Sequence, residues 1–429
     1  MAKASMLTGF GVGQQATRLD ALPGRYDPWL LGTTLALACL GVVMVASSSI
    51  AIGETNHVGP YYYLVKHLVF LAMGMGVAGW LMRAELKGIE QRDHLLLVLC
   101  FVLLVAVFLP GVGRTLNGAR RWLNFGLTTF QAVEAVKPMF IVWLASYLVR
   151  FRDEVNATWA AMLKPLGVAV ALVALLLLQP DFGSSSLILA ITAGMLVLGG
   201  VHLPRMFGPV LVGLPALAAI AIAEPYRLKR LIAFLNPWAD PLGDGYQLVN
   251  SLMAVGRGEL FGVGLGASVQ KLYYLPEAHT DFILAIIGEE LGALGIIMLL
   301  FLYGLVAFAG LRIARNASTP YAQLLAAGVI SLYIGQAMLN VFTVLGLAPL
   351  TGVPLPFISY GGTTLVTMLI GVGLVLNVAQ GGEVRQRAAE PPRDARGSRA
   401  DAAAEDRHRD RWDSGARRAR VDDRRRAAS

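Results

Sequence analysis

Charge is scarce in this chain. Of its 429 residues only 15% are Asp, Glu, Lys or Arg, while 56% are hydrophobic; soluble domains run nearer about a quarter charged. With a mean hydropathy of +0.60, this excludes a soluble globular enzyme and a disordered chain. Cysteine is nearly absent: Cys39 and Cys100 lie inside apolar runs and read as small buried hydrophobes. There is no disulfide framework and no Cys/His zinc spacing. Residues 1–27 lack an apolar stretch ending in a small-residue cleavage site, so the first membrane helix is expected to do the targeting. No internal repeat supports an inverted-repeat transporter. The net charge of +8 does not point to nucleic acid, because half of it lies in the tail 381–429, where 14 arginines mix with 10 acids. That tail reads as disordered, with basic residues suited to anionic lipid.

What is present is apolar length. A helix needs about 20 residues to cross ~30 Å of hydrocarbon. Ten stretches qualify: 28–50, 62–82, 94–110, 131–149, 163–179, 183–201, 206–223, 282–309, 322–346 and 361–379. Pro180 and Asp181 disfavour one continuous helix through the fifth and sixth, so a tight turn at one membrane surface is expected there. The connections on the side of the termini hold twelve Lys and Arg before the tail. The opposite side holds eight, five of them in the long connection 224–281, which weighs little in the positive-inside rule. Both termini are therefore expected in the cytoplasm. The expected organisation is a cytoplasmic segment 1–27, an all-α membrane domain 28–380 and the charged tail 381–429. The 58-residue loop 224–281 carries amphipathic segments, and long ordered loops are usually functional. The working face is expected outside the cytoplasm.

Charged residues inside spans are costly, about 2.5–3.5 kcal/mol each at a helix centre. Glu134 and Lys137, three apart, share a helical face; a self-neutralising structural pair and a substrate-facing role stand level. Glu289 and Glu290 point about 100° apart, so one is expected to line a cavity and the other to find a helix partner. Lys66 and His67 read as snorkelling side chains. The outer loop Gly113–Trp122 sets Arg114, Arg120 and Arg121 beside Trp122, which suits a phosphate headgroup or simple interfacial anchoring. Arg227 and Arg230 pose the same choice. Asp281, beside His279 and Thr280 at the mouth of the eighth span, suits a general base or a helix N-cap.

Seven stretches in this order resemble one family: Gly118–Asn124, Gln179–Gly183, Asn236-Pro237-Trp238 through Gln247, Gly256–Glu259, Lys271–Phe282, Gly288–Gly292 and Pro354–Gly362. Together they resemble the SEDS family (shape, elongation, division and sporulation), and within it the cell-division branch, over roughly residues 25–380. The resemblance implies a ten-helix bundle with a large periplasmic loop between helices 7 and 8. It implies polymerisation of peptidoglycan from lipid II, with inversion at the anomeric carbon, at the outer face of the bacterial inner membrane and at the division septum. The alternatives are a lipid II flippase and a non-catalytic divisome scaffold. By resemblance the catalytic carboxylate falls on Asp281, and important charged positions on Arg121, Glu134, Lys137 and Arg150. The candidate substrate-binding set is Arg121, Glu134, Lys137, Arg227, Arg230, Lys271, His279 and Glu289. A metal is unassigned, although a divalent cation, Mg or Mn, bridging carboxylate and diphosphate suits the chemistry. The implied partners are lipid II and the growing glycan strand, a class B penicillin-binding protein transpeptidase and other divisome proteins, with no nucleic acid. Two departures stand out: Ala132-Val133 where the family usually has Pro and a small residue, and Thr351 where the division branch often has Lys.

Overall fold

The computed structural model describes residues 27–381 apart from 117–118, 125, 127–128, 224 and 273. Expectations for residues 1–26 and 382–429 lie outside the described residues, as does the Arg227 side chain. The chain is helical for most of its length: α1 Pro28–Thr55, α2 Tyr62–Leu81, α3 Leu86–Glu90 and α4 Asp93–Ala106 come first. Three short strands follow, β1 Gly113–Leu116, β2 Ala119–Asn124 and β3 Thr129–Gln131, then α5 Ala132–Arg150, α6 Arg152–Ala157, α7 Trp159–Leu178, α8 Phe182–Leu198 and α9 Leu203–Ala223. The long loop holds α10 Pro225–Leu235 and α11 Tyr246–Gly258, and α12 Ile283–Arg315, α13 Pro320–Val344 and α14 Gly362–Ala379 complete the chain.

Among the described residues seven helices are long and apolar enough to cross a membrane: α1, α2, α5, α7, α12, α13 and α14. Two shorter apolar helices, α4 and α8, and the 21-residue α9 cover the remaining predicted stretches. The molecule is a multi-pass all-α membrane bundle. Helix starts follow local chemistry. The Asp27 carboxylate accepts from Leu30 N at 3.0 Å ahead of Pro28, and Thr319 accepts from Ala322 N at 3.2 Å ahead of Pro320. Helices α5, α13 and α14 are buried nearly all round, whereas α2 turns Val65, Val69, Met73 and Trp80 outward as a lipid-type face.

Two features escaped the sequence reading. The arginine-rich outer loop is an antiparallel meander in the order β1-β2-β3, with Arg114 opposite Trp122 and Trp122 opposite Gln131. The eighth span, expected as one helix over 282–309, is broken at Gly292 (φ 69°, ψ −168°) and runs on to Arg315. Only glycine adopts that backbone cheaply. The loop completes the break: Val263 N and Gly264 N donate to the Glu289 and Glu290 carbonyls at 2.9 and 3.1 Å. In return Ala293 N donates to Glu259 O at 2.9 Å and Leu294 N to Leu260 O at 3.2 Å. Packed α1 and α12 supply an internal ruler. Asp27 pairs with Arg312 near one end, and Ser47 with Glu290 near the other. Twenty residues of helix separate these ties, about 30 Å, so the break sits near the far end of the bundle from the Asp27 tie.

Candidate functional site

At that end opens a cleft of about 1150 Å³. Its walls come from β2 and β3, the α7–α8 turn, α10, segment 276–282, the end of α13 and segment 350–364. Arg121, Arg230, His279 and Asp281, distant in sequence, all face it, with Lys66 at its side.

Arg121 is held by a helix end. Its Nε donates to Gln179 O at 3.0 Å and its Nη2 to Pro180 O, taking up carbonyls left over where α7 stops. Across the turn, Asp181 caps α8, accepting from Ser184 N at 3.1 Å and Ser184 Oγ at 2.9 Å. Gly183 is needed for close approach, since a Cβ there would lie 2.7 Å from Thr351 O. Arg230 Nη1 donates to Leu350 O at 3.1 Å. The turn and segment 350–354 are thus pinned by the two arginines of the cleft.

Asp281 is fixed through its backbone and those of its neighbours. Tyr360 N donates to His279 O at 2.9 Å, Ser359 Oγ to Thr280 O at 2.6 Å, and Asn340 Nδ2 to Asp281 O at 2.8 Å. Asn340 Nδ2 also reaches Val353 O at 2.8 Å, joining the segment to the opposite wall. Asp281 does not cap α12, whose N-cap residue is Phe282 without a side-chain bond; the N-cap alternative does not describe it. Burial, seconded by the Glu277 charge, pushes its carboxyl up to about 7, against the opposing pull of Arg121 and Arg230. Burial likewise holds the His279 imidazole below its usual range, with Glu277 opposing. Gly352 (φ 65°) faces the carboxylate, and a Cβ there would sit 3.4 Å from Asp281 Oδ2.

Other predicted residues lie elsewhere. Glu134 and Lys137 form a buried pair at 2.8 Å inside α5, with Gln336 Oε1 accepting from Lys137 Nζ at 2.8 Å; neither lines the cleft. Arg150 closes the other end of α5, where it binds Asp93 at 2.8 Å. That is sixteen residues from Glu134, about 24 Å. Glu289 and Lys271 are buried away from the cleft walls. Neither Glu289 nor Glu290 lines this cleft; Glu290 finds the expected helix partner in Ser47 of α1, and the loop supplies partners to both. The sequence reading missed Asn340, Ser359 and Tyr360, although Gln336 and Asn340, four apart in an apolar span, were a readable polar stripe. Among the described residues no three His, Cys, Asp or Glu side chains gather as metal ligands. Among the described residues Asp281 and Glu277 are the acids that line the cleft.

Comparison with known proteins gives the family. Residues 28–383 match the FtsW, RodA and SpoVE family, described as cell cycle protein. A probable peptidoglycan glycosyltransferase FtsW from Xanthomonas oryzae pathovar oryzae is 54% identical over 373 residues, 86% of this chain and 76% of that protein. Its counterpart in Hahella chejuensis is 43% identical, covering 81% of this chain and 89% of that one. A solved structure on the coordination of polymerization and crosslinking by a peptidoglycan synthase complex superposes with a TM-score of 0.69 at 28% identity, over 83% of this chain and 98% of that one. The rod shape determining protein RodA of Thermus thermophilus follows at a TM-score of 0.61 and 26% identity, over 84% and 98%. With a matching cleft-bearing fold and a family match over most of its length, the chain belongs to the FtsW, RodA and SpoVE family of cell cycle proteins.

Proposed function

We propose that Asp281 is the general base of a glycosyl transfer carried out in this cleft. The chain is a peptidoglycan glycosyltransferase that polymerises glycan strands, as family membership and the 54% identical relative support. In lipid II the sugar is α-linked to diphosphate, and the glycan product is β-linked. The acceptor hydroxyl oxygen attacks the anomeric carbon from the face opposite the diphosphate. Asp281 takes the hydroxyl proton as the new C–O bond forms, and the old C–O bond breaks with its electron pair leaving on the diphosphate. Arg121 and Arg230 lie where cations stabilise that departing charge. Thr351 lines the same wall in place of the branch's usual Lys, so those two arginines carry the task here. The observation that carries the reading is a carboxyl pushed up to about 7 in a cleft walled by two arginines.

The same reading takes ten crossings, cytoplasmic termini, the loop 224–281 outside the inner membrane, and work at the division septum. A class B transpeptidase is the partner, which the relative solved within a synthase complex supports. The test is lipid II polymerisation by the purified full chain, with and without that partner. Asp281→Asn is expected to abolish product while the protein stays inserted and partner-bound. Near-normal glycan synthesis by that variant would remove Asp281 as the base.

A further inference from the structure

Two adjacent carboxylates take no part in the cleft, although both are almost wholly buried, Glu289 at 0% exposure and Glu290 at 1%. Each is saturated by a different part of the long loop. Glu289 accepts from Ser268 Oγ at 2.5 Å, Val269 N at 3.1 Å, Gln270 N at 3.3 Å and Arg257 Nη1 at 3.3 Å. Glu290 accepts from Lys271 Nζ at 2.6 Å and from Ser47 Oγ at 2.7 Å, and Lys271 Nζ also reaches Ser47 Oγ at 2.9 Å. Buried ion pairs are weak stabilisers, since apolar replacements of similar volume are often neutral or better. One such pair, Lys271 with Glu290, next to a buried Glu289 that is held by loop donors and a half-exposed Arg257, beside a helix break that the same loop closes with four backbone bonds, fits a demand for position rather than for stability.

The geometry defines what is being positioned. From Lys271 the chain runs ten residues to Asp281 and then enters α12 at Ile283, about two turns before the carboxylates that anchor it. Segment 271–282 is therefore a short closed bridge with both feet on α12. Within it Glu277 is held at φ 55°, a strained value for a non-glycine residue, and such strain persists only where the surroundings enforce it. We infer that Glu289 and Glu290, with Ser268, Lys271 and Ser47, form a double-carboxylate latch that sets the position of Asp281 without touching substrate. They are positioning residues. This inference rests on the reading of Asp281 as the base, and its test includes a readout independent of activity.

The experiment uses the full chain with its transpeptidase partner. Polymerisation kinetics are paired with spin-label distances between Tyr274→Cys and Leu347→Cys, both exposed, in a Cys39→Ser background. Glu290→Gln is expected to lower kcat about tenfold or more, with KM within about twofold, because small misplacement of a reacting group is costly. Ser268→Ala, which removes one bond to Glu289 and the bond that Lys271 N donates to Ser268 Oγ at 3.2 Å, is expected to lower kcat about threefold. Both should broaden the distance distribution, and Glu290→Asp should recover part of each change. A raised KM at unchanged kcat would make these residues substrate contacts and overturn the inference. So would an unchanged kcat, or a lowered kcat with an unmoved distance distribution. Should Glu290→Gln fail to fold, the uncharged Ser268→Ala variant decides the matter alone. If Asp281→Asn stays active while the distances move, the base assignment fails and the latch stands as a loop anchor only.

Discussion

Helices α5 and α12 both carry charge into the interior of the bundle, and they deal with it in opposite ways. In α5, Glu134 and Lys137 neutralise each other three residues apart, and Gln336 Oε1 of α13 accepts a further hydrogen bond from Lys137. The helix remains whole. In α12 the two carboxylates have no partner within their own helix; loop residues, Ser47 and loop amides supply the bonds, and the helix is broken two residues later at Gly292. A charge satisfied locally adds little but bulk and rigidity to a wall. A charge satisfied by a distant segment fixes where that segment sits. The first arrangement belongs to scaffolding, the second to placing a reactive group.

The largest effect that would break this contrast is at Lys137. Lys137→Met leaves Glu134 buried without its cation, with Glu134 Oε2 already lacking a hydrogen-bond partner. A loss of about 3–5 kcal/mol in stability is expected. The double variant Glu134→Gln, Lys137→Met removes both charges and should recover most of that loss, read by thermal unfolding in detergent. A double variant that is stable yet inactive would move the pair from scaffold to substrate contact.

Next in size is the opposite end of the same helix. Arg150 binds a nearly buried Asp93 but is itself 43% exposed, so the pair is partly screened. Arg150→Ala leaves a buried Asp93 without its cation and should cost about 1–3 kcal/mol, while leaving KM for lipid II unchanged, because the cleft lies toward the other end of α5. Loss of polymerisation by a stable Arg150→Ala protein would mean that this far end is coupled to the cleft.

How much of this was readable in advance differs by region. The apolar stretches gave helices because periodicity and length are local properties. Asp281 could be singled out from its place before a span, and Arg121 from its cluster. The placement of Glu289 could not, because three of its four partners are Ser268 and two backbone amides, which leave no pattern in a sequence. The break at Gly292 has the same cause: the carbonyls of Glu289 and Glu290 just before it are taken by residues 263 and 264, each 26 positions away. The separation of Arg150 from Glu134 was legible from helix rise alone.

The smallest effects concern acidity at Asp281, and their signs are fixed by its neighbours. A base acts only when deprotonated, so activity should rise with pH around a midpoint near 7, the value to which burial and Glu277 push the carboxyl. Glu277→Gln removes an anion that raises that value, so the midpoint of kcat/KM should fall. Arg230→Ala removes a cation that lowers it, so the midpoint should rise. Stability runs the other way. A carboxyl whose folded value lies above its unfolded value, 3.8 here, contributes stability that is complete below the unfolded value and is lost as pH climbs through about 7. Asp281→Asn abolishes that dependence, so its unfolding temperature should change less between pH 4 and 7 than that of the parent chain. A midpoint that moves in the same direction for Glu277→Gln and Arg230→Ala would show that the titrating group is not Asp281.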